Sequence, residues 1–276
     1  MEHPTLAPLQ IEGWYALHQF FQLDRLPDDG EELEARRARA RDVQAVFEGW
    51  ADLGDEGWSG LYRLVGGGTD YMAIHFRSSL DELGHVERTL RSHPSCGDLH
   101  VSSDYLSVVE LGLYQLTAAL AEKAAGGGIA LRSDEWNAMV EAALEEQRAA
   151  KYAQRRLYPR QPEDMPYACF YPMDKRRTGE ENWYALPLAD RARLMQEHGK
   201  TGRTYAGKVS QVILGSAGLD DWEWAVTLFA GDPLQFKAIV TDMRYDEVSA
   251  VYAEFGSFLV GRRVAADAIA EELAGA

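Results

Sequence analysis

The chain has 276 residues, of which 46% are hydrophobic and 26% charged, a composition typical of a folded globular protein. Its formal net charge of −16 at pH 7 argues against nucleic acid as a partner, because the phosphate backbone repels such a surface. Cys96 and Cys169 show neither metal-ligand spacing nor a disulfide framework, so we expect a reducing compartment. Residues 1–10 lack the features of a signal peptide, and no apolar run reaches the ~18 residues of a membrane span. A cytoplasmic protein is therefore expected.

The first predicted region, residues 1–117, alternates strand and helix patterns. The predicted elements are a strand at 14–26 that ends at Asp28, Asp29 and Gly30, a helix at 31–50, strands at 60–65 and 71–76, a helix capped by Ser79 that ends near 91, and a strand at 101–116. The resulting β-α-β-β-α-β order is ferredoxin-like.

The rest of the chain divides into a predicted helical connector, 118–160, and a second ferredoxin-like region, 161–276. The connector holds a flexible stretch at 124–128 and a helix capped by Ser133 and Asp134 that runs to about 154. The later elements are strands at 166–172, 210–215, 222–229 and 257–260, and helices at 188–198 and 233–244. This pattern predicts an α+β fold in which two ferredoxin-like halves form a dimeric α+β barrel-type subunit.

An internal repeat supports two similar halves. Residues 70–91 align with residues 223–244 without a gap. The matched apolar positions include Phe76 with Phe229, Leu83 with Phe236, and Val86 with Ile239. His75 aligns with Leu228 and not with His198, so we expect one functional site per chain.

His198 is the histidine with the most suggestive position. It follows Leu188, Ala192 and Met195 at spacings of four, three and three, which places it on the apolar face of the predicted helix between Pro187 and Gly199. One interpretation is a core histidine that hydrogen-bonds a carbonyl. The other is an axial ligand to haem iron, which needs only one protein ligand, whereas the other histidines form no metal-binding pattern.

A second candidate stretch is "CFYPMDKRRTGEENWYALP", residues 169–187. On an extended strand Tyr171, Met173 and Lys175 lie on one side. A phenol that donates a hydrogen bond and an ammonium that pairs with charge suit a ligand with carboxylates. The alternative is an exposed strand end. The glycine-rich stretches match no phosphate loop or Rossmann fingerprint, and no nucleophile elbow occurs.

Four ordered stretches between residues 156 and 263 are also informative: "FYPMDKRR", "NWYALP", "EHGKTGRTYAGKVSQVILGSAGLDDWEWAVTLF" and "MRYDEVSAVYAEFGSFLVGR". They resemble the coproheme decarboxylases of the chlorite dismutase superfamily. The resemblance implies that hydrogen peroxide drives conversion of iron coproporphyrin III (coproheme) to haem b, the last step of coproporphyrin-dependent haem biosynthesis. Two propionates become vinyl groups, two molecules of carbon dioxide leave, and a three-propionate intermediate lies between the steps.

The resemblance also assigns roles to individual residues. It makes His198 the axial iron ligand and Tyr171 the residue whose phenoxyl radical takes a hydrogen atom from the propionate β-carbon. Lys175 becomes a charge partner or proton donor in the second step, and Gln211 the distal residue. Since chlorite-degrading relatives carry arginine there, the neutral glutamine argues against chlorite dismutation. The other residues placed at the substrate are Arg156, Pro172, Met173, Asp174, Trp183 and Ser249. This chain has one extra residue between Arg156 and Tyr171, so Arg155 is an alternative.

Two alternative functions are considered beside the decarboxylase, and the resemblance also implies partners. A non-catalytic haem carrier or sensor keeps His198 without needing Tyr171, and a cofactor-independent monooxygenase of the dimeric α+β barrel group needs no haem. The resemblance implies a homopentamer and a transient contact with the ferrochelatase that makes coproheme. We expect coproheme affinity to fall with salt, because the basic residues Arg155, Arg156, Lys175, Arg176 and Arg177 cluster in sequence around the site.

Overall fold

The fold is built on one antiparallel sheet, seen in a computed structural model that describes residues 6–25 and 29–275. The strands are β1 (Gln10–Leu23), β2 (Gly57–Leu64), β3 (Tyr71–Arg77), β4 (Leu99–Gly112), β5 (Tyr167–Lys175), β6 (Val209–Gly215), β7 (Trp224–Ala230), β8 (Ala253–Phe255) and β9 (Leu259–Val264). The helices are α1 (Gly30–Trp50), α2 (Leu80–Ser92), α3 (Tyr114–Gly127), α4 (Asp134–Ala149), α5 (Lys151–Leu157), α6 (Leu188–Arg203), α7 (Leu234–Met243), α8 (Glu247–Tyr252) and α9 (Ile269–Ala274). The predicted α+β class is confirmed.

The sheet closes on itself. Its strand order is β7-β6-β4-β1-β3-β2-β9-β5-β8, and β7 also pairs with β5, from Tyr167 opposite Ala230 to Met173 opposite Trp224. Eight strands therefore form a ring, and the short β8 pairs with the end of β5 on the same edge as β9. The interior is filled by large aromatic side chains, which include Trp14, Trp58, Tyr62, Phe76, Phe170 and Phe229. Closure pairs strands that would otherwise expose an edge.

The two faces of the sheet alternate along β5. Ala168 and Phe170 point into the ring, whereas Cys169 and Tyr171 join a cluster on its outer face. Tyr171 lies opposite Val226 of β7, and Val226 lies opposite Ile213 of β6. Helix α7 covers this outer face with Phe236 and Ile239. The outer face of β5, β6 and β7 therefore supplies one wall of the candidate site.

The internal repeat agrees with the observed elements. β3 and β7 each contain seven residues and occupy the same positions of the ungapped alignment. Ser79 caps α2 by accepting a hydrogen bond from the Glu82 amide, as predicted. The strand orders also correspond, because β1 lies between β4 and β3 and β5 lies between β9 and β7. The boundaries near 117 and 160 stay a prediction.

Some elements predicted in and next to the connector differ from those observed. The strand predicted to end at residue 116 ends at Gly112, and the supposed flexible stretch at 124–128 lies largely in α3. This alanine-rich segment favours helix and buries Leu120 and Ala124. The single helix predicted to residue 154 is two helices, because Ala150 adopts an extended conformation between α4 and α5.

Other boundaries differ from the prediction as well. β1 begins at Gln10 and ends at Leu23, and the predicted strand end at Leu26 and Asp28 lies outside the described residues. Helix α6 continues to Arg203, so Gly199 does not end it, and Pro187 is its N-cap. The last strand begins later than predicted, and β8, α8 and α9 were not predicted because they are very short. Across residues 6–25 and 29–275, no helix combines the length and apolarity needed to cross a bilayer.

Candidate functional site

His198 is held by a carboxylate through one ring nitrogen. Its Nδ1 atom lies 3.0 Å from Oδ2 of Asp246, the N-cap residue of α8. Asp246 also accepts hydrogen bonds from the Ser249 amide at 3.1 Å and the Ser249 hydroxyl at 3.3 Å. Burial raises the pKa of Asp246. The hydrogen bond from His198, the positive charge of a protonated His198 ring and the two Ser249 bonds outweigh burial, so the pKa of Asp246 lies below its ordinary value. A carboxylate only accepts, so Nδ1 carries a proton and a neutral ring keeps its Nε2 lone pair free.

Lys175 is a buried cation without an ion pair among the described carboxylates. It ends β5, its residue surface is 7% exposed, and its Nζ atom lies 4.8 Å from the centroid of the Trp183 ring. The acidic residues that influence it, Asp246 and Glu223, pair with His198 and Arg177 instead. Burial lowers the pKa of Lys175 to about 8, opposed by the charges of Asp246 and Glu223. An incoming carboxylate therefore meets an ammonium that has no competing partner.

Trp183 connects Lys175 to the helices of the site. It is 1% exposed and begins a short 3-10 turn, Trp183–Ala185, in which the Tyr184 and Ala185 amides donate to the Asn182 side chain. Its ring contacts those of Tyr114 and Tyr252, at centroid distances of 6.1 and 5.5 Å. The side chain also belongs to an apolar cluster with Leu194 of α6. Trp183 is thus fixed between the end of β5, α6 and α8.

Tyr171 presents a phenol that no described residue hydrogen-bonds. Its ring is stacked on Phe258, with centroids 4.4 Å apart and planes at 25°, and Phe255 lies at 5.9 Å. Burial raises the pKa of the phenol well above its usual range, Cys169 adds to this, and Arg244 opposes it. The phenol is therefore neutral near pH 7, and its O–H is available to an acceptor on a ligand.

Met173 and Gln211 share the outer sheet face with Tyr171. Met173 packs at the border of the cluster that contains Tyr171, as the strand alternation predicts. Gln211 is on β6, and its Nε2 atom lies 3.5 Å from the position that a Cβ on Gly202 would take. Gly202 is one helical turn after His198 on α6, so the Gln211 amide and His198 lie along the same helix face.

Pro172 and Asp174 alternate with these residues and have structural partners. The Pro172 carbonyl accepts from the Gly256 amide at 2.9 Å, which fixes the loop after β8. Asp174 Oδ1 accepts from the Glu223 amide at 2.7 Å, and Arg177 pairs with both carboxylates. The predicted contact of Pro172 and Asp174 with a substrate stays a prediction.

Arg156 lies apart from the other candidate residues. It is on α5, a helix that packs through Leu157 against the first half of the sheet. Its guanidinium donates to the Tyr152 hydroxyl at 3.3 Å. Among the described residues, no hydrogen bond or ion pair joins Arg156 to Tyr171, Lys175 or His198. Its role towards a propionate, and that of Arg155, remains a prediction.

Two of the five residues of the predicted basic cluster, Arg176 and Arg177, are paired with carboxylates. Arg176 pairs with Glu181 and Glu254, and Arg177 pairs with Asp174 and Glu223. Lys175, which lies at the candidate site, forms no ion pair with any carboxylate that the structure describes.

Sequence reasoning missed three residues of the site. Asp246 precedes a short helix at a spacing typical of an N-cap, but nothing local links it to His198. Glu223 and Phe258 likewise meet Arg177 and Tyr171 only through tertiary structure. No sequence signal identified these pairs.

A cavity of about 280 Å³ lies elsewhere, between β2, β9 and the end of α1. Its wall includes Phe47, Ser59, Gln161 and Arg263, and none of the candidate site residues. That cavity therefore does not join His198 to Tyr171.

Comparison with known proteins identifies similar chains over nearly the whole length of this one. The chain is 41% identical over 261 residues to a Thermus thermophilus protein named coproheme decarboxylase, covering 94% of this chain and 93% of that one. A solved structure described as a novel heme-binding protein from Thermus thermophilus superposes with a TM-score of 0.80 at 37% identity, covering 99% of both chains.

More distant structures share the fold. Chlorite dismutase from Candidatus Nitrospira defluvii, solved in complex with imidazole, superposes with a TM-score of 0.66 at 20% identity, covering 95% of this chain and 96% of that one. The family model for chlorite dismutase matches residues 36–264, which include strands β2 to β9. The chain therefore belongs to the chlorite dismutase family.

Proposed function

We propose that this protein is a coproheme decarboxylase, which uses hydrogen peroxide to convert coproheme to haem b through a three-propionate intermediate. The observation that carries the proposal is the presence, on one side of β5, of an unpaired phenol at Tyr171 and an unpaired buried ammonium at Lys175. The 41% identity to the Thermus thermophilus coproheme decarboxylase supports it over nearly the whole chain.

The residues present fit an iron porphyrin. His198 has its Nδ1 engaged by Asp246, which leaves Nε2 as the nitrogen that can bind iron. The Asp246 carboxylate orients the ring and increases its basicity as a ligand. When bound, the iron porphyrin supplies the chemistry that takes oxidising equivalents from hydrogen peroxide.

Tyr171 is proposed to take the hydrogen atom from the propionate β-carbon. Each decarboxylation removes two electrons and one proton from a propionate and releases carbon dioxide, while one hydrogen peroxide is reduced to two waters. No described side chain accepts the Tyr171 proton, so an oxidised Tyr171 must pass it to the substrate carboxylate or to water. The stack on Phe258 restricts the ring and keeps the phenol oxygen in one position.

Lys175 is proposed to bind the propionate that reacts second. A carboxylate beside the ammonium forms the ion pair that Asp246 and Glu223 leave unmade. With its pKa lowered to about 8 by burial, Lys175 can also donate a proton near neutral pH more readily than an exposed lysine. Gln211, Met173 and Trp183 are proposed to line the porphyrin. Ser249 is proposed to hydrogen-bond a propionate, and Arg156, or Arg155 in its place, to bind another.

A haem carrier or sensor is the second candidate. The similarity to a protein described only as heme-binding favours it, and the His198–Asp246 pair suits either function. A carrier has no need for the unpaired Tyr171 phenol.

The same proposal includes the location, the oligomeric state and the domain division of the protein. We place the protein in the cytoplasm, as a homopentamer that receives coproheme from the ferrochelatase. The division into residues 1–117, 118–160 and 161–276 is proposed with the substrate bound by the last of these.

The test is mass analysis of porphyrins after the purified protein is mixed with coproheme and titrated with hydrogen peroxide. Stepwise loss of two carboxyl groups, with a three-propionate species between, supports the decarboxylase. Binding with a shifted Soret band but no mass loss supports the carrier. Absence of binding contradicts both.

A further inference from the structure

We propose that Trp183 is the positioning residue for Lys175: the indole face stands in for an anionic partner and keeps the ammonium in place for a substrate carboxylate. The contact exists in the protein's own side chains, at 4.8 Å from Nζ to the ring centroid. The importance of this contact for catalysis rests on the proposed function. The contact itself is independent of that function.

Burial makes the indole contact significant. Lys175 is 7% exposed and Trp183 is 1% exposed, so water screens their interaction little. A buried ammonium loses its hydration and normally needs a carboxylate to compensate. The ring face of tryptophan is the strongest aromatic acceptor for a cation, and its attraction grows when the pair is desolvated.

The charged groups around Lys175 are otherwise committed. Asp246, before α8, binds His198, and Glu223, before β7, binds Arg177 and accepts from the Tyr184 hydroxyl. The two neighbours of Lys175 in sequence also have partners. Asp174 pairs with Arg177, and Arg176 pairs with Glu181 and Glu254. Trp183 is thus the group in direct contact with the ammonium, while the acids act on it from a greater distance.

Trp183 is also rigid enough to position a charge. Tyr114 and Tyr252 flank its ring, and its backbone amide donates to the Arg176 carbonyl at 2.9 Å. That bond ties the turn to the residue immediately after Lys175. A flexible lysine stem, which costs entropy to hold in one place, therefore meets a fixed ring.

The direct test measures the pKa of Lys175 in the protein without porphyrin. The sequence contains six lysines, so protein labelled with ¹³Cε-lysine gives few NMR signals, and Lys175→Arg assigns the one of interest. We expect Trp183→Leu to lower the pKa of Lys175 by about one pH unit, and Trp183→Phe to lower it less because phenylalanine retains a weaker ring face.

The sign of the change separates positioning from mere packing. If Trp183 only fills space, Trp183→Leu admits water to Lys175 and its pKa rises, which overturns the proposal, as does an unchanged pKa. Near-UV circular dichroism checks the fold. If Trp183→Leu does not fold, Trp183→Phe decides by the same sign. Trp50→Leu is the matched control, because Trp50 lies 5.7 Å from the Arg77 guanidinium in the first half and should leave Lys175 unchanged.

A second measurement addresses turnover. With coproheme and hydrogen peroxide, we expect Trp183→Leu to accumulate the three-propionate species, and the Trp183→Leu/Lys175→Met double variant to be no slower in the second step than Lys175→Met. If the double variant slows the second decarboxylation by the combined effect of the two single substitutions, Trp183 does not act through Lys175 and the proposal is overturned. If the wild-type protein decarboxylates nothing, the proposed function fails, while the NMR result still decides whether Trp183 holds Lys175.

Discussion

The ring nitrogen Nδ1 of His198 lies 3.0 Å from Oδ2 of Asp246, so the middle of α6 is joined to the start of α8. Asp246 is simultaneously the cap of α8 through the Ser249 amide. One carboxylate therefore orients the candidate iron ligand and fixes the helix beside it. This arrangement makes Nε2 the ring atom on which iron binding depends.

Replacing His198 with alanine should remove the axial ligand. We expect His198→Ala to shift the Soret band of the coproheme complex and to weaken binding, measured by spectrophotometric titration. His85→Ala is the control, since His85 lies on α2, away from the candidate site. Equal spectra for wild type and His198→Ala would contradict the assigned ligand.

Asp246→Asn should weaken the ligand without removing it. An amide oxygen can still accept from Nδ1, but it lacks the charge that makes the imidazole more basic, so affinity should fall by about tenfold. In the reduced complex the iron–histidine stretching frequency should decrease, as measured by resonance Raman spectroscopy. An unchanged frequency would show that Asp246 has only a capping role.

Tyr171→Phe should separate binding from reaction. The ring and its stack on Phe258 are retained, so coproheme affinity should change little, but both decarboxylations should stop because no phenol remains to be oxidised. The readout is the porphyrin mass after addition of peroxide. Tyr105→Phe is the control, since Tyr105 lies inside the ring of strands against Phe170. Normal turnover by Tyr171→Phe would exclude the tyrosine from the mechanism.

The contribution of Lys175 to binding should depend on pH. Its pKa in the free protein is about 8, and a bound carboxylate raises that pKa. The affinity advantage of wild type over Lys175→Met should thus be complete below pH 8, and should decline as the pH rises above it. Titrations between pH 6 and about 10 measure this difference. Lys200→Met, at an exposed residue paired with Glu197, should show no such trend.

Gly256→Ala should destabilise the loop that carries Phe258. A Cβ at residue 256 would lie 2.6 Å from Cγ of Pro172 and 3.1 Å from Cζ2 of Trp222, and neither ring can move freely. We expect a loss of about 1–3 kcal/mol in the free energy of unfolding, measured by denaturant titration. Gly49→Ala, exposed on α1 with no atom near its Cβ, should instead stabilise by about 0.5–1 kcal/mol. Equal stability of the two variants would mean that the loop is not fixed by this contact.

Much of the fold could be predicted because its signals are local. The period of apolar residues and the Ser79 cap were enough to place α1, β3 and α2 within a few residues. Helix α3 was missed because its alanine- and glycine-rich end has the composition of a linker, and its helical state depends on burying Leu120 and Ala124. Propensity alone does not determine that balance.

The sequence by itself determined the order of the elements, the alternation that puts Tyr171, Met173 and Lys175 on one side of β5, and the resemblance that singled out His198. Only the tertiary structure decided which groups meet. It closed the sheet through β5 and β7, brought Asp246 to His198, and set Lys175 over Trp183. The reason is physical: periodicity follows from backbone geometry within a few residues, whereas the pairing of a buried charge depends on segments that are distant in sequence and meet only when the core forms.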